Sequence, residues 1–337
     1  MLMKYRGILI AFAVVAAGAA IAALWLGGSL DRASHIVTPV RYQLSWVHNG
    51  AFAGYYASDQ RGYYAQEGLA VQFIEGGPRL DPVAGVIEGR AELGSANASL
   101  LIKARSEGKP VRAIAVLHRR NPVVFMTLRQ SGITHPSQFA GKTIRVARQN
   151  IPILRAVMNR FKIEPDQYEL VHSSDLESFY SGEIDVYAGW LFDVTNKIQA
   201  SGHEINIIHP DDFGIHHYDN SIFTTERFMA ENPELIARFL KATLKLGWVY
   251  AVRNPDAAGP MTAVYDPDVD VAHESAWLKE LLPLINTTGE DSIGWMEPEI
   301  WAAMTENLGR MGVLDKPIDP TEVYTMRFLR QIRAATE

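Results

Sequence analysis

From residue 37 onward, short apolar runs alternate with stretches whose apolar residues return every three or four positions. The runs at 37–44, 71–74, 112–117, 123–128, 143–147, 168–171, 184–187, 205–208 and 221–224 read as strands, with a further one at 92–94. The stretches 54–60, 98–107, 152–160, 175–181 and 194–200 read as helices. This rhythm predicts an α/β fold on a mainly parallel, helix-covered sheet. After 224 the strands stop and the pattern turns helical. Asn232 is a candidate N-cap, Pro233 suits the first helical position, and Leu235, Ile236, Phe239, Leu240, Leu244 and Trp248 form one apolar face that ends at Asn254-Pro255.

One apolar stretch breaks the rhythm. Residues 7–30 carry no charge and follow only Lys4 and Arg6, which is the arrangement of an export leader. Ala17-Gly18-Ala19 and Ala20-Ile21-Ala22 offer cleavage sites, whereas continuation through Leu24-Trp25-Leu26 gives the roughly 20 residues that span a bilayer. Signal peptide and N-terminal membrane anchor both remain open. Either way, basic residues before the run place the body outside the cytoplasm, in the periplasm or on the outer face of the membrane.

About 300 residues approach the limit of one growing core, so two domains are expected. No low-complexity linker or repeat separates them. Extended stretches at 122–128 and 213–224 are the candidate crossings. They define lobe one as 37–122 plus 225–337 and lobe two as 126–220, two discontinuous lobes able to close by a hinge.

Composition narrows the chemistry. The chain has no cysteine, which removes disulfide frameworks, thiolate metal sites and cysteine nucleophiles. A formal charge of −6, more negative once Lys4 and Arg6 are set aside, argues against general nucleic-acid binding. Zinc-protease, serine-hydrolase, P-loop and dinucleotide motifs are absent. Asp266-Pro267-Asp268-Val269-Asp270 lacks the glycine and glutamate of a calcium loop and reads as an acidic loop. The adjacent His216 and His217 would face opposite ways in an extended segment, so no metal site is expected.

In open α/β sheets, ligands bind beyond the carboxyl ends of strands. Trp46, His48, Asn49 and Phe52 follow the first strand, Gly76 and Gly77 the second, Asn97 the third, and Arg119 the fourth. Aromatic faces, amides and exposed backbone N–H groups on one edge suit a flat, polar heteroaromatic ligand. Each residue also has a plainer role. Trp46 and Phe52 can pack in the core, Asn97 can cap a helix, Gly76-Gly77-Pro78 can make a turn, and Arg119 can pair with an acid.

The string from Gln43 through Trp46, His48, Asn49 and Phe52 to Tyr56, with Gly62-Tyr63-Tyr64-Ala65-Gln66-Glu67-Gly68-Leu69 and Glu75-Gly76-Gly77-Pro78, resembles the thiamine-biosynthesis-like (NMT/THI-type) periplasmic substrate-binding proteins. Further similarity lies in Arg129-Gln130-Ser131-Gly132-Ile133, Phe139-Ala140-Gly141-Lys142, Gly182-Glu183-Ile184-Asp185-Val186, Asn232-Pro233-Glu234 and Gly294-Trp295-Met296. The resemblance implies a two-lobed periplasmic-binding-protein type II (Venus flytrap) fold. It also implies a ligand ring held by Trp46, Asn49 and Phe52, with contacts from Tyr187, Trp190, Asp193, Asn196 and Tyr218. The family commonly reads Thr-Asn-Glu-Pro where this chain has Thr195-Asn196-Lys197-Ile198, replacing a carboxylate by a cation.

The resulting expectation is a non-enzymatic solute-binding protein without cofactor. It would capture a thiamine pyrimidine precursor or a related heteroaromatic for an ABC permease and its ATPase, with a membrane contact if the leader is uncleaved. The alternatives are a tethered sensing ectodomain with a signalling partner and, last, a pyrimidine-synthesising enzyme, whose cysteine-rich segment this chain lacks.

Overall fold

The computed structural model describes residues 37–335 except 78–79, 148–149, 173–174 and 288, and leaves the side chains of Asp193 and Asn196 undescribed. The leader at 7–30 lies outside the described residues. Among those described, no helix is long and apolar enough to cross a membrane.

Ten strands form two five-stranded sheets. The first contains β1 (Thr38–Gln43), β2 (Leu69–Ile74), β3 (Leu93–Ala96), β4 (Val111–His118) and β10 (Asp219–Thr225), in the order β2-β1-β3-β10-β4. The second contains β5 (Val123–Leu128), β6 (Thr143–Arg145), β7 (Glu169–Val171), β8 (Val186–Trp190) and β9 (Ile205–Ile208), in the order β7-β6-β8-β5-β9. The chain passes from β4 to β5 between His118 and Val123, and returns from β9 to β10 between Ile208 and Asp219.

Neither sheet is purely parallel. β1 pairs parallel with β3, and β6 with both β7 and β8. By contrast, β10 runs antiparallel between β3 and β4, and β5 antiparallel between β8 and β9. The reason is topological. β5 and β10 are the strands by which the chain enters a sheet from the other half, so each runs against its neighbours. Both are buried along almost their whole length because helices cover both faces, and this is why they read as continuous apolar runs.

The helical region after β10 packs back on the first sheet. Tyr324 bridges to Ala113, and Val116 N donates to Gly294 O (3.0 Å). The expected apolar face from Leu235 to Trp248 is buried, but the helix changes form within it. An α-helix at Pro233–Leu240 widens to a π-helix at Lys241–Trp248 and resumes at Val249–Arg253. The helix Ala53–Gln60 lies against the widened part. A Cβ on Gly247 would stand 1.9 Å from Ser58 Oγ, and one on Gly54 2.2 Å from the Trp248 ring. Ser58 donates to the Ala242 carbonyl (3.0 Å), a backbone acceptor within the irregular turns. Asn232 stands at the start of this helix without a side-chain capping bond. Its amide instead reaches back to Phe228 O (3.4 Å), while Pro233 holds the first position as expected.

Candidate functional site

The loops after β1 and β2 are joined backbone to backbone. Leu44 N donates to Ile74 O (2.9 Å) and Gly76 N to Trp46 O (3.0 Å), while the Gln43 amide donates to Ile74 O and Glu75 O. A Cβ on Gly76 would lie 2.4 Å from Leu44 O and 2.6 Å from Trp46 N, so glycine is required here by the neighbouring loop. Gly77 is buried beside it, and Pro78 lies outside the described residues.

This junction sorts the first group of expected residues. Trp46 is 43% exposed and stands out from the core. Phe52 is only 2% exposed and packs among Tyr55 and Tyr56. Asn49 is occupied by its own loop, accepting from Ala51 N (2.9 Å) and donating to Val47 O (2.8 Å). His48 bonds Tyr56 Oη through Nδ1 (2.8 Å) and stacks on Tyr265, and burial pushes its imidazole below the usual histidine range.

A second group meets at the middle of the first sheet, and strand order explains it. β10 lies between β3 and β4, so its first residue, Asp219, sits opposite the last residue of β4, His118, and beside Asn97, which follows β3. Asn97 does two things at once. Its Oδ1 caps the helix Ala98–Ser106 through Ser99 N (2.9 Å), and its Nδ2 donates to Asp219 Oδ1 (3.1 Å), which also accepts from Asn220 N (2.8 Å). Asp219 Oδ2 accepts no hydrogen bond among the described residues and lies 3.8 Å from His118 Nδ1, too far for one. His118 is 1% exposed, and neither ring nitrogen has a hydrogen-bond partner among the described residues.

Aromatic rings meet at His118. Trp190, at the carboxyl end of β8 in the second sheet, lies 6.4 Å from the His118 ring and 6.5 Å from Trp277, edge to face in both cases. Trp277 belongs to the helix Val271–Ile285, which is capped by Asp270. Its Nε1 is buried without a partner, and its ring also contacts His273. Glu274 anchors the same helix to the β1 loop by accepting from Gly50 N (2.5 Å). Its burial raises the carboxyl above the usual range. Trp190, Trp277 and His118 therefore mark where the carboxyl edges of the two sheets come together.

The remaining expected residues lie elsewhere or are engaged. Arg119 is buried, pairs with Glu297, and donates its backbone N–H to Leu284 O (3.0 Å). Tyr218 is buried against Trp301, and its hydroxyl accepts from Glu297 N (2.8 Å). Tyr187 is buried, with the Arg145 guanidinium 4.4 Å over its ring. Asp193 and Asn196 lie on the helix Asp193–Ala200, their side chains outside the described residues. Lys197 is exposed on that helix. His118, Asp219 and Trp277 were not among the expected ligand residues. A position just after a strand could have singled out His118. Asp219 opens an antiparallel strand and Trp277 comes from a helix 58 positions later in the chain, so no local signal marked either.

A family model described as "NMT1/THI5 like" matches residues 49–258. The chain belongs to this family. Among curated relatives, the chain is 25% identical over 304 residues to the riboflavin-binding protein RibY of Chloroflexus aurantiacus, covering 86% of each chain. It is 28% identical over 228 residues to the formylaminopyrimidine-binding protein of Halalkalibacterium halodurans, covering 65% of this chain and 68% of the relative. It is also 21% identical to a 4-amino-5-hydroxymethyl-2-methylpyrimidine phosphate synthase of Legionella pneumophila, covering 88% and 94%. Among solved structures, the periplasmic aliphatic sulphonate binding protein SsuA of Escherichia coli superposes with a TM-score of 0.66 at 12% identity, covering 84% of this chain and 91% of that one. That likeness establishes the periplasmic-binding-protein fold expected from the sequence.

Proposed function

We propose that this family member is an extracytoplasmic solute-binding protein, without catalytic activity, that delivers a small heteroaromatic metabolite to an ABC permease and its ATPase. The observation that carries this reading is the meeting of Trp190, from the second sheet, with Trp277 of the helix Val271–Ile285 and with His118 at the end of β4, where β4 lies opposite the Asn97–Asp219 pair. Flat aromatic surface above a few convergent polar groups is what a planar, polar ring needs. In this reading the halves built on the two sheets are the lobes, and they hinge at the two passages between sheets. Ligand binding would draw Trp190 towards the edge of the first sheet and stabilise that arrangement. The binding-protein names of two relatives support capture over catalysis. The apolar leader supports export, as a cleaved signal or a retained anchor.

A thermal-shift screen tests the proposal. Riboflavin, aminopyrimidines, thiamine and alkanesulfonates are added singly, and a heteroaromatic compound is expected to raise the melting temperature. A ligand at a hundredfold excess over its Kd adds about 2.7 kcal/mol of stability. No shift with any heteroaromatic compound would overturn the reading.

A further inference from the structure

Among the described residues, His118 is a buried imidazole with no hydrogen-bond partner for either nitrogen, and Oδ2 of the partly exposed Asp219 beside it accepts no hydrogen bond. A buried imidazole is costly to leave unpaired, and a ligand at this edge would supply its partner. Two described neighbours are already engaged. Asn97 is used up on Ser99 and Asp219, and Arg119 is turned to Glu297. Trp277 Nε1, also without a partner among the described residues, only donates.

We propose, resting on the solute-capture reading above, that His118 and Asp219 determine specificity by reading one edge of the ligand ring: an N–H donor directly beside an acceptor. The free Oδ2 of Asp219 accepts, so it takes the N–H. His118 donates a ring N–H to the adjacent acceptor. Two chemical forms present this edge, an amino group beside a ring nitrogen and a lactam N–H beside its carbonyl. Asn97 holds Asp219 in place by donating to Oδ1, leaving Oδ2 for the ligand. An alkanesulfonate offers acceptors and negative charge only, and it meets the Asp219 carboxylate with repulsion. The same fold that serves a sulphonate in a structural relative is therefore expected to reject it here.

The test is isothermal titration calorimetry on the full chain with two probe pairs. One is riboflavin and its N3-methyl derivative. The other is 4-amino-5-hydroxymethyl-2-methylpyrimidine and its N,N-dimethylated amine, and ethanesulfonate serves as the acceptor-only control. At least one unmethylated parent is expected to bind at least tenfold more tightly than its methylated partner, with no heat from ethanesulfonate. Asp219→Ala and His118→Phe should each remove that preference, with circular dichroism checking their folding. The wild-type comparison stands even if a variant misfolds. Equal binding of parent and methylated forms would overturn this inference and leave heteroaromatic capture standing. Binding of ethanesulfonate with none of the four ring compounds would overturn both.

Discussion

Trp190 and Phe52 show how two aromatic side chains come to serve different ends. Trp190, at the end of β8, meets the rings of His118 on β4 and of Trp277 on a helix, whereas Phe52 is enclosed by Tyr55 and Tyr56. Trp190→Ala is expected to weaken ligand binding at least about tenfold, or about 1.4 kcal/mol, with little loss of stability. Phe52→Ala should cost roughly 3–5 kcal/mol of stability by opening a cavity, while any protein that folds keeps its affinity. Calorimetry and urea denaturation on the two variants separate the roles. His217 carries a pH signature of its own. Burial, helped by neighbouring His216 and opposed by Asp211, pushes its imidazole from 6.5 down to about 4. The unfolded chain therefore binds this proton at higher pH than the folded one. The contribution to stability is complete above about 6.5 and is lost as pH falls towards about 4. Melting temperature should drop across that window, and His217→Gln should make the drop shallower.

At the scale of elements, close backbone approach decides more than propensity does. The β1 and β2 loops touch at Gly76, and a methyl there would meet backbone atoms that cannot swing aside. Gly76→Ala should destabilise by about 1–3 kcal/mol and disturb the loop that presents Trp46, which a thermal melt with a binding titration would reveal. The π-helix at Lys241–Trp248 follows the same principle, because Gly54 and Gly247 let two helices approach more closely than side chains allow. The apolar spacing from Leu235 to Trp248 made the buried face readable in the sequence. It could not reveal the widened turns, since these depend on the helix packed alongside. Asn232 illustrates the same limit: its residue type suits a cap, yet its amide is drawn to Phe228 O.

Across the whole molecule, the two passages between sheets are tied to each other. Arg120, in the first, bonds Asp211 and Asp212 in the second (2.7 Å each), and His216 shares Asp211 (2.7 Å). Partly exposed pairs are worth little singly, but this clamp bears on the segments about which the halves would hinge. Arg120→Ala should lower ligand affinity by a few-fold, and the difference from wild type should shrink at high salt. Titrations at two ionic strengths would check it.

The sequence by itself determined the elements and the family. Apolar runs of four to eight residues, the helical repeats between them and the motifs after the first two strands are local properties, and most strands fall within a few residues of where the pattern puts them. It also singled out Asn97 by its position after a strand, which can be read without knowing the strand's neighbours, and Trp190 by the family resemblance. Only the tertiary structure decided that β10 lies between β3 and β4. That order sets Asp219 against His118 and Asn97 across more than 100 residues of chain, and it brings Trp277 to meet Trp190. The physical reason is that a binding edge is made where separate strands end side by side, and their order in a sheet is fixed by long-range packing that no local pattern records.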